Sequence, residues 1–223
     1  MASSTSGSSR LGRPARLSQD AIVTAAQLIL DRAGPEQLSM RRLAKELSST
    51  PMALYHHVRD KDELLMLVLD AHAARFSRPK QPTEPRARFV TAANLLYEVL
   101  ADCPWIVEIL ASDDLLAVSA LWIVEDILDA AIACGLSEAD AVYAYRTIWY
   151  YTAGELLIRM TRNRRRAVSE GPSHRDKAFA KLDPEKYPRL TSTASNWPQL
   201  TERDTHKRGL EDIIDAIIAR CAK

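Results

Sequence analysis

Apolar residues recur at three- and four-residue spacing along almost the whole of this chain, and the breaks in that pattern predict its elements. Ile22, Ala25, Ala26 and Ile29 form the first stripe, behind Ser18 as N-cap and with Leu17 and Ile22 at staple positions. Gly34 ends that helix as a C′ residue. Asp60, with Glu63 three residues on as in a capping box, opens a helix through Leu64, Leu65, Val68 and Ala71 to about Phe76. Pro79, Pro82 and Pro85 then preclude a continuous helix over residues 77–85, which reads as a linker. Beyond it, helices are expected over residues 86–102, 104–111 and 115–134, the last ending at Gly135. Ser137 caps a long helix reaching about residue 162. Residues 163–200 contain Pro172, Pro184, Pro188 and Pro198 and are less regular, with a short helix expected at 175–182. The last helix, 203–221, has the cleanest two-sided pattern. Leu210, Ile213, Ile214, Ile217, Ile218 and Cys221 lie on one side, and Arg208, Glu211, Asp212, Asp215 and Arg220 on the other. The fold class is all-α.

Residues 38–61 read as two short helices with a tight turn between them. Ser39 is placed to cap the first, whose stripe is Leu43, Ala44 and Leu47. Ser48-Ser49-Thr50 breaks the pattern. Thr50 caps the second helix, with Pro51 at its first position, where a missing N–H is harmless. Leu54 and Val58 face inward and leave Pro51, Met52, Ala53, Tyr55, His56 and His57 largely outside. Two helices joined by a short turn form a helix-turn-helix, whose second helix enters the DNA major groove. An ordinary helical hairpin is the bland alternative. Aromatic and imidazole side chains on a solvent face, with basic residues on both flanks, weigh against it.

Only 7 glycines in 223 residues, with 47% hydrophobic residues, favour helices over turn-rich β structure. The net charge of +1 conceals an asymmetry: residues 1–61 hold nine Lys or Arg against five Asp or Glu, so the remainder is net acidic. Residues 1–17 are expected to be a disordered basic arm carrying Arg10, Arg13 and Arg16. Cys103, Cys134 and Cys221 are odd in number and widely spaced, so neither a disulfide framework nor a ligand pair is visible. Adjacent His56 and His57 point about 100° apart and do not form a metal-binding pair. Residues 1–10 lack the apolar core of a secretion signal and no apolar run reaches membrane-spanning length, so a cytoplasmic location away from membranes is expected.

The capped first helix, Leu-Ser-Met-Arg-Arg-Leu-Ala-Lys-Glu-Leu (38–47), Ala-Leu-Tyr-His-His-Val (53–58) and Asp-Lys-Asp-Glu-Leu-Leu (60–65) resemble the tetracycline-repressor (TetR) family of bacterial transcriptional regulators. The match is strongest over residues 18–76. The spacing of Leu54, Tyr55, His57, Val58 and Lys61 carries it, with Gly12-Arg13-Pro14 as a familiar lead-in. Residues 131–144 are similar to the subgroup nearest the tetracycline repressors themselves. The resemblance implies a helix-turn-helix DNA-binding domain at 18–76 and a ligand-binding, dimerising domain at 86–223. It further implies a homodimeric repressor that a small-molecule effector releases from a palindromic operator. Ser48 departs from the family, which often has Gly at that turn. The founding repressor holds a magnesium–drug chelate with a histidine near the start of its body; Ala101-Asp102-Cys103-Pro104-Trp105 has none, so that activity does not carry over. No metal, cofactor or catalytic residue is assigned.

Site residues follow. Tyr55 and Lys61 match family positions that contact phosphates, and Arg41 one that reaches a base, as Arg does at guanine. With Ser39, Thr50, Pro51, Met52, Ala53, His56 and His57 they make up the expected DNA-binding surface. Tyr97, Trp105, Trp122 and Trp149 are candidate walls of a pocket for a mostly apolar or aromatic effector. Glu155, inside an otherwise apolar helix, needs a partner: a ligand, Arg146, Arg159 or the other subunit, with an internal pair or a dimer contact favoured over a ligand. The stripe Leu210, Ile213, Ile214, Ile217 and Ile218 is expected to form the dimer seam with the helix at 138–162. The rival from another class is a small helical enzyme or ligand carrier whose hairpin serves only for packing.

Overall fold

The computed structural model describes residues 17–112, 115–168, 171, 174–202 and 205–221. The Gly12-Arg13-Pro14 lead-in and the arm bearing Arg10, Arg13 and Arg16 lie outside them. Two compact units divide inside a single helix, between Ala71 and His72. The described residues form helices and contain no strand.

The first unit is built from α1 (Gln19–Ala33), α2 (Met40–Glu46), α3 (Pro51–Tyr55) and most of α4 (Lys61–Ala73). Each start is fixed locally. The Ser18, Ser39 and Thr50 hydroxyls accept from the N–H groups of Ala21, Arg42 and Ala53 at 3.2, 3.2 and 3.3 Å; such a cap contributes about 1 kcal/mol. Asp60 accepts from Glu63 N–H at 2.8 Å, but Glu63 answers to the N–H of Arg59, one residue before the position a capping box prescribes. The turn after α2 is a Schellman-type closure, with Ser49 N–H on Ala44 O and Ser48 N–H on Lys45 O. Ser48 takes the left-handed conformation, φ 48°, where glycine would be unstrained. Ile22, Ala26, Leu30, Leu43, Leu54, Leu64 and Val68 close the core of this unit.

The second unit comprises the end of α4, α5 (Pro85–Asp102), α6 (Trp105–Ser112), α7 (Leu121–Ala133), α8 (Glu138–Val168), α9 (His174–Phe179), α10 (Pro188–Ala194), α11 (Trp197–Glu202) and α12 (His206–Cys221). α5 packs chiefly on α7, α7 on α8, and α12 on both α5 and α8. Phe89, Ile127, Ile148, Leu156, Leu210 and Ile214 are its fully buried centre. Residues 77–82 have no regular structure, yet this stretch is tied down. Arg78 forms a two-armed pair with the buried carboxylate of Asp126 on α7, and Gln81 donates to it at 3.1 Å. That pairing satisfies a charge that would otherwise be buried alone.

Several boundaries differ from the periodicity. α7 starts at Leu121 rather than 115, because no side chain caps an earlier start and a single 3₁₀ turn, Val118–Ala120, leads in. α8 runs 31 residues, past 162 to Val168. The helix expected at 175–182 is His174–Phe179. α10 and α11 are short helices without a buried residue among those described, and they begin at or beside prolines, where an apolar stripe gives little signal. α4 stops at Ala73, and its exit to Phe76 tightens into bonds of the 3₁₀ type.

Candidate functional site

α3 is only five residues long and is held by one fully buried side chain, Leu54. Everything else on it faces outward or sits half-buried. Met52 is 69% and Tyr55 47% exposed; Pro51 and His56 are exposed, while Ala53 and His57 are half-buried. The exposed methionine and tyrosine leave apolar and aromatic surface of this short helix open to solvent. The α2 surface adds the charge. Ser39, Arg41, Arg42, Lys45 and Glu46 line an open depression. Arg41 and Lys45 are one helical turn apart and both project into solvent. Arg42 is partly engaged, donating to Gln37 Oε1 at 3.1 Å.

The expected DNA-binding residues therefore separate into three groups, the half-buried Ala53, His57 and Lys61 making the third. Arg41, Pro51, Met52, Tyr55 and His56 are displayed. Ser39 and Thr50 use their hydroxyls as caps and position the display. Lys61 is half-buried, with Nζ 3.5 Å from the Pro35 carbonyl oxygen, and Gln19 Nε2 lies 3.5 Å from the His57 carbonyl oxygen. Lys45 was not anticipated, although its i+4 spacing from Arg41 was a sufficient signal.

In the second unit, Tyr97 and Trp105 are buried, and Trp122 and Trp149 are half-buried. Tyr97 enters a cluster that no local pattern announces. The His206 ring stacks on Tyr97 at 3.8 Å and lies 5.0 Å from the ring of Tyr151, nearly parallel to both. His206 Nε2 is 3.3 Å from Thr152 Oγ1, and the Arg159 guanidinium sits over the Tyr97 ring at 5.5 Å. Glu155 finds its partner here, accepting from Arg159 at 2.6 Å. Gly209 makes room, since a Cβ at that position would lie 2.2 Å from the Tyr151 hydroxyl.

The α12 stripe expected at the dimer seam is partly covered within the chain itself. Leu210 and Ile214 are 0% and Ile217 7% exposed within the single chain, covered by its own α5 and α8. Those three are core residues of the single chain, while Ile213 and Ile218 are half-buried and keep part of the stripe accessible. Periodicity identified the face that leaves water but not what covers it. The outward side of α8 instead leaves Tyr143, Tyr150 and Ile158 half-exposed or more.

Residues 78–221 match the family described as "Tetracyclin repressor-like, C-terminal domain". The chain belongs to the tetracycline-repressor family. An HTH-type transcriptional regulator of Saccharopolyspora erythraea is 36% identical over 144 residues, 63% of this chain and 60% of that protein. The chain thus matches less than two thirds of that relative's length. Among solved structures, the TetR family protein ActR of Streptomyces coelicolor in complex with actinorhodin superposes with a TM-score of 0.74 at 28% identity, covering 92% of this chain and 97% of that one. BioQ with its double-stranded DNA operator superposes with a TM-score of 0.61 at 28% identity, covering 92% and 99%. One similar protein is thus seen with actinorhodin and another with operator DNA. No helix among the described residues is long and apolar enough to cross a membrane.

Proposed function

We propose that this chain is a ligand-responsive transcriptional repressor that binds a palindromic operator as a homodimer and leaves it when a mostly apolar or aromatic effector binds the body. The observation that carries the reading is the display on α3, where Met52, Tyr55 and His56 project beside Arg41 and Lys45 from a helix whose start is capped by Thr50. A short helix presenting side chains at its start suits major-groove entry, with cations beside it for phosphates. The family membership and the operator-bound and ligand-bound relatives support the same reading. For the effector, the Tyr97–His206–Tyr151 stack offers flat aromatic faces with Arg159, Glu155 and Thr152 as polar partners. For the dimer, the outward apolar positions of α8 and the half-buried Ile213 and Ile218 of α12 offer the surface. An effector releases DNA only through preference for the state that does not fit the operator.

The test is binding of the full chain to palindromic DNA from upstream of its own gene, followed by fluorescence anisotropy over a salt series. Specific binding that weakens steeply with salt is expected. Binding no tighter than to random duplex overturns the reading and leaves an enzyme or carrier.

A further inference from the structure

We propose that His72, Asp102 and Cys103 form a binding site for a zinc-class divalent cation. His72 lies in the last turn of α4, Asp102 is the last residue of α5 and Cys103 follows it. Thirty residues separate the histidine from the pair in sequence, yet one ligand atom from each lies within 4.8 Å of the other two.

The histidine is oriented for the task. Its ring is 1% exposed, and Nε2 sits 3.0 Å from the Val99 carbonyl oxygen. That oxygen can only accept, so Nε2 carries the proton and Nδ1 keeps the lone pair. Nδ1 has no hydrogen-bond partner and lies 3.9 Å from Asp102 Oδ2. A buried acceptor left unpaired costs about 1–3 kcal/mol. A ring N–H fixed by a backbone carbonyl, with the other nitrogen turned toward a thiol and a carboxylate, is how proteins hold a metal-binding imidazole.

The donor set selects the ion. Imidazole, thiolate and carboxylate suit zinc, whereas magnesium and calcium take oxygen ligands. Bonds of about 2.0–2.3 Å put tetrahedral ligand atoms roughly 3.4–3.8 Å apart. The His72–Asp102 separation of 3.9 Å is close to that, and the widest pair must close by about 1 Å. Asp102 is 42% exposed and can make that movement. Arg75, 3.3 Å from the same carboxylate and 55% exposed, swings outward as the ion takes its place. Three protein ligands leave a fourth position for water. Zinc takes cysteine as the thiolate, so binding expels the Cys103 thiol proton, about one per ion.

The experiment uses the full chain titrated with zinc by calorimetry in two buffers of different ionisation enthalpy, and with cobalt(II) by absorption. One ion per chain, release of about one proton and a thiolate-to-cobalt charge-transfer band are expected. Cys103→Ser abolishes the band, and Asp102→Asn, a surface change that leaves the fold intact, weakens zinc at least about tenfold. A double variant, Cys134→Ser with Cys221→Ser, binds as the wild type. Absence of the band in the wild type, its survival in Cys103→Ser, or unchanged affinity in Asp102→Asn overturns the proposal.

Discussion

The outer face of α3 and the apolar stripe of α12 begin as similar signals and end in opposite environments. On α3 a single anchor, Leu54, is fully buried, and Met52 and Tyr55 remain in water. On α12 the stripe is consumed by the chain itself, with Leu210 and Ile214 fully covered by α5 and α8. Helical spacing tells which side turns from solvent. It does not tell whether the cover is the same chain, a second copy or a nucleic acid. Where a helix is too short to bury more than one residue, its remaining side chains are available for recognition.

Substitutions sharpen the contrast. The largest effect is expected from Ile214→Asp, which places a charge in the core of the second unit. It should cost more than about 4 kcal/mol and abolish the cooperative thermal transition read by circular dichroism. Met52→Asp, the matching change on α3, should leave the unfolding free energy within about 0.5 kcal/mol of wild type. A stable, folded Ile214→Asp protein would show that the stripe is not core.

Gly209→Ala comes next. The new methyl meets the Tyr151 hydroxyl and forces that ring off His206, at about 1–3 kcal/mol. Adding Tyr151→Phe should recover part of the loss; no recovery would place the strain elsewhere. Tyr55→Ala should weaken operator binding about tenfold, the scale of one hydrogen bond to a charged group, with an unchanged melting midpoint. Thr50→Ala should lower stability by about 1 kcal/mol and loosen the start of α3, visible as faster amide exchange at Ala53.

The smallest effect is on the acid side. A hydrogen bond from Arg86 holds the Asp215 carboxyl below its usual 3.8. A lowered carboxylate pKa stabilises the fold above the unfolded value, and that contribution fades as pH falls below about 3.8 toward the folded value. Both side chains are substantially exposed, so the gain is slight. Asp215→Asn should flatten the acid limb of the stability profile slightly and leave stability near neutral pH almost unchanged.

The legible parts of the molecule were those governed by neighbours in sequence. Ser18, Ser39, Thr50 and Asp60 cap helices because a cap needs only the next three residues. The strained turn at Ser48 was visible for the same reason. What stayed hidden depends on residues far apart in the chain: His206 between Tyr97 and Tyr151, Asp126 held by Arg78, and His72 beside Asp102 and Cys103. Each joins segments far apart in the chain, and no local periodicity encodes which segments meet. The cover that α5 and α8 give to Leu210, Ile214 and Ile217 was hidden on the same ground.

The central claim is that the exposed α2–α3 surface, and not the body, contacts DNA. The most direct measurement is the slope of log affinity against log salt for the wild type and for the double variant Arg41→Ala, Lys45→Ala, by anisotropy on one operator duplex. Each lost phosphate contact should reduce the slope by about 0.9 while the melting midpoint stays constant. A slope and affinity identical to wild type would contradict the claim and move the nucleic-acid contact away from this surface.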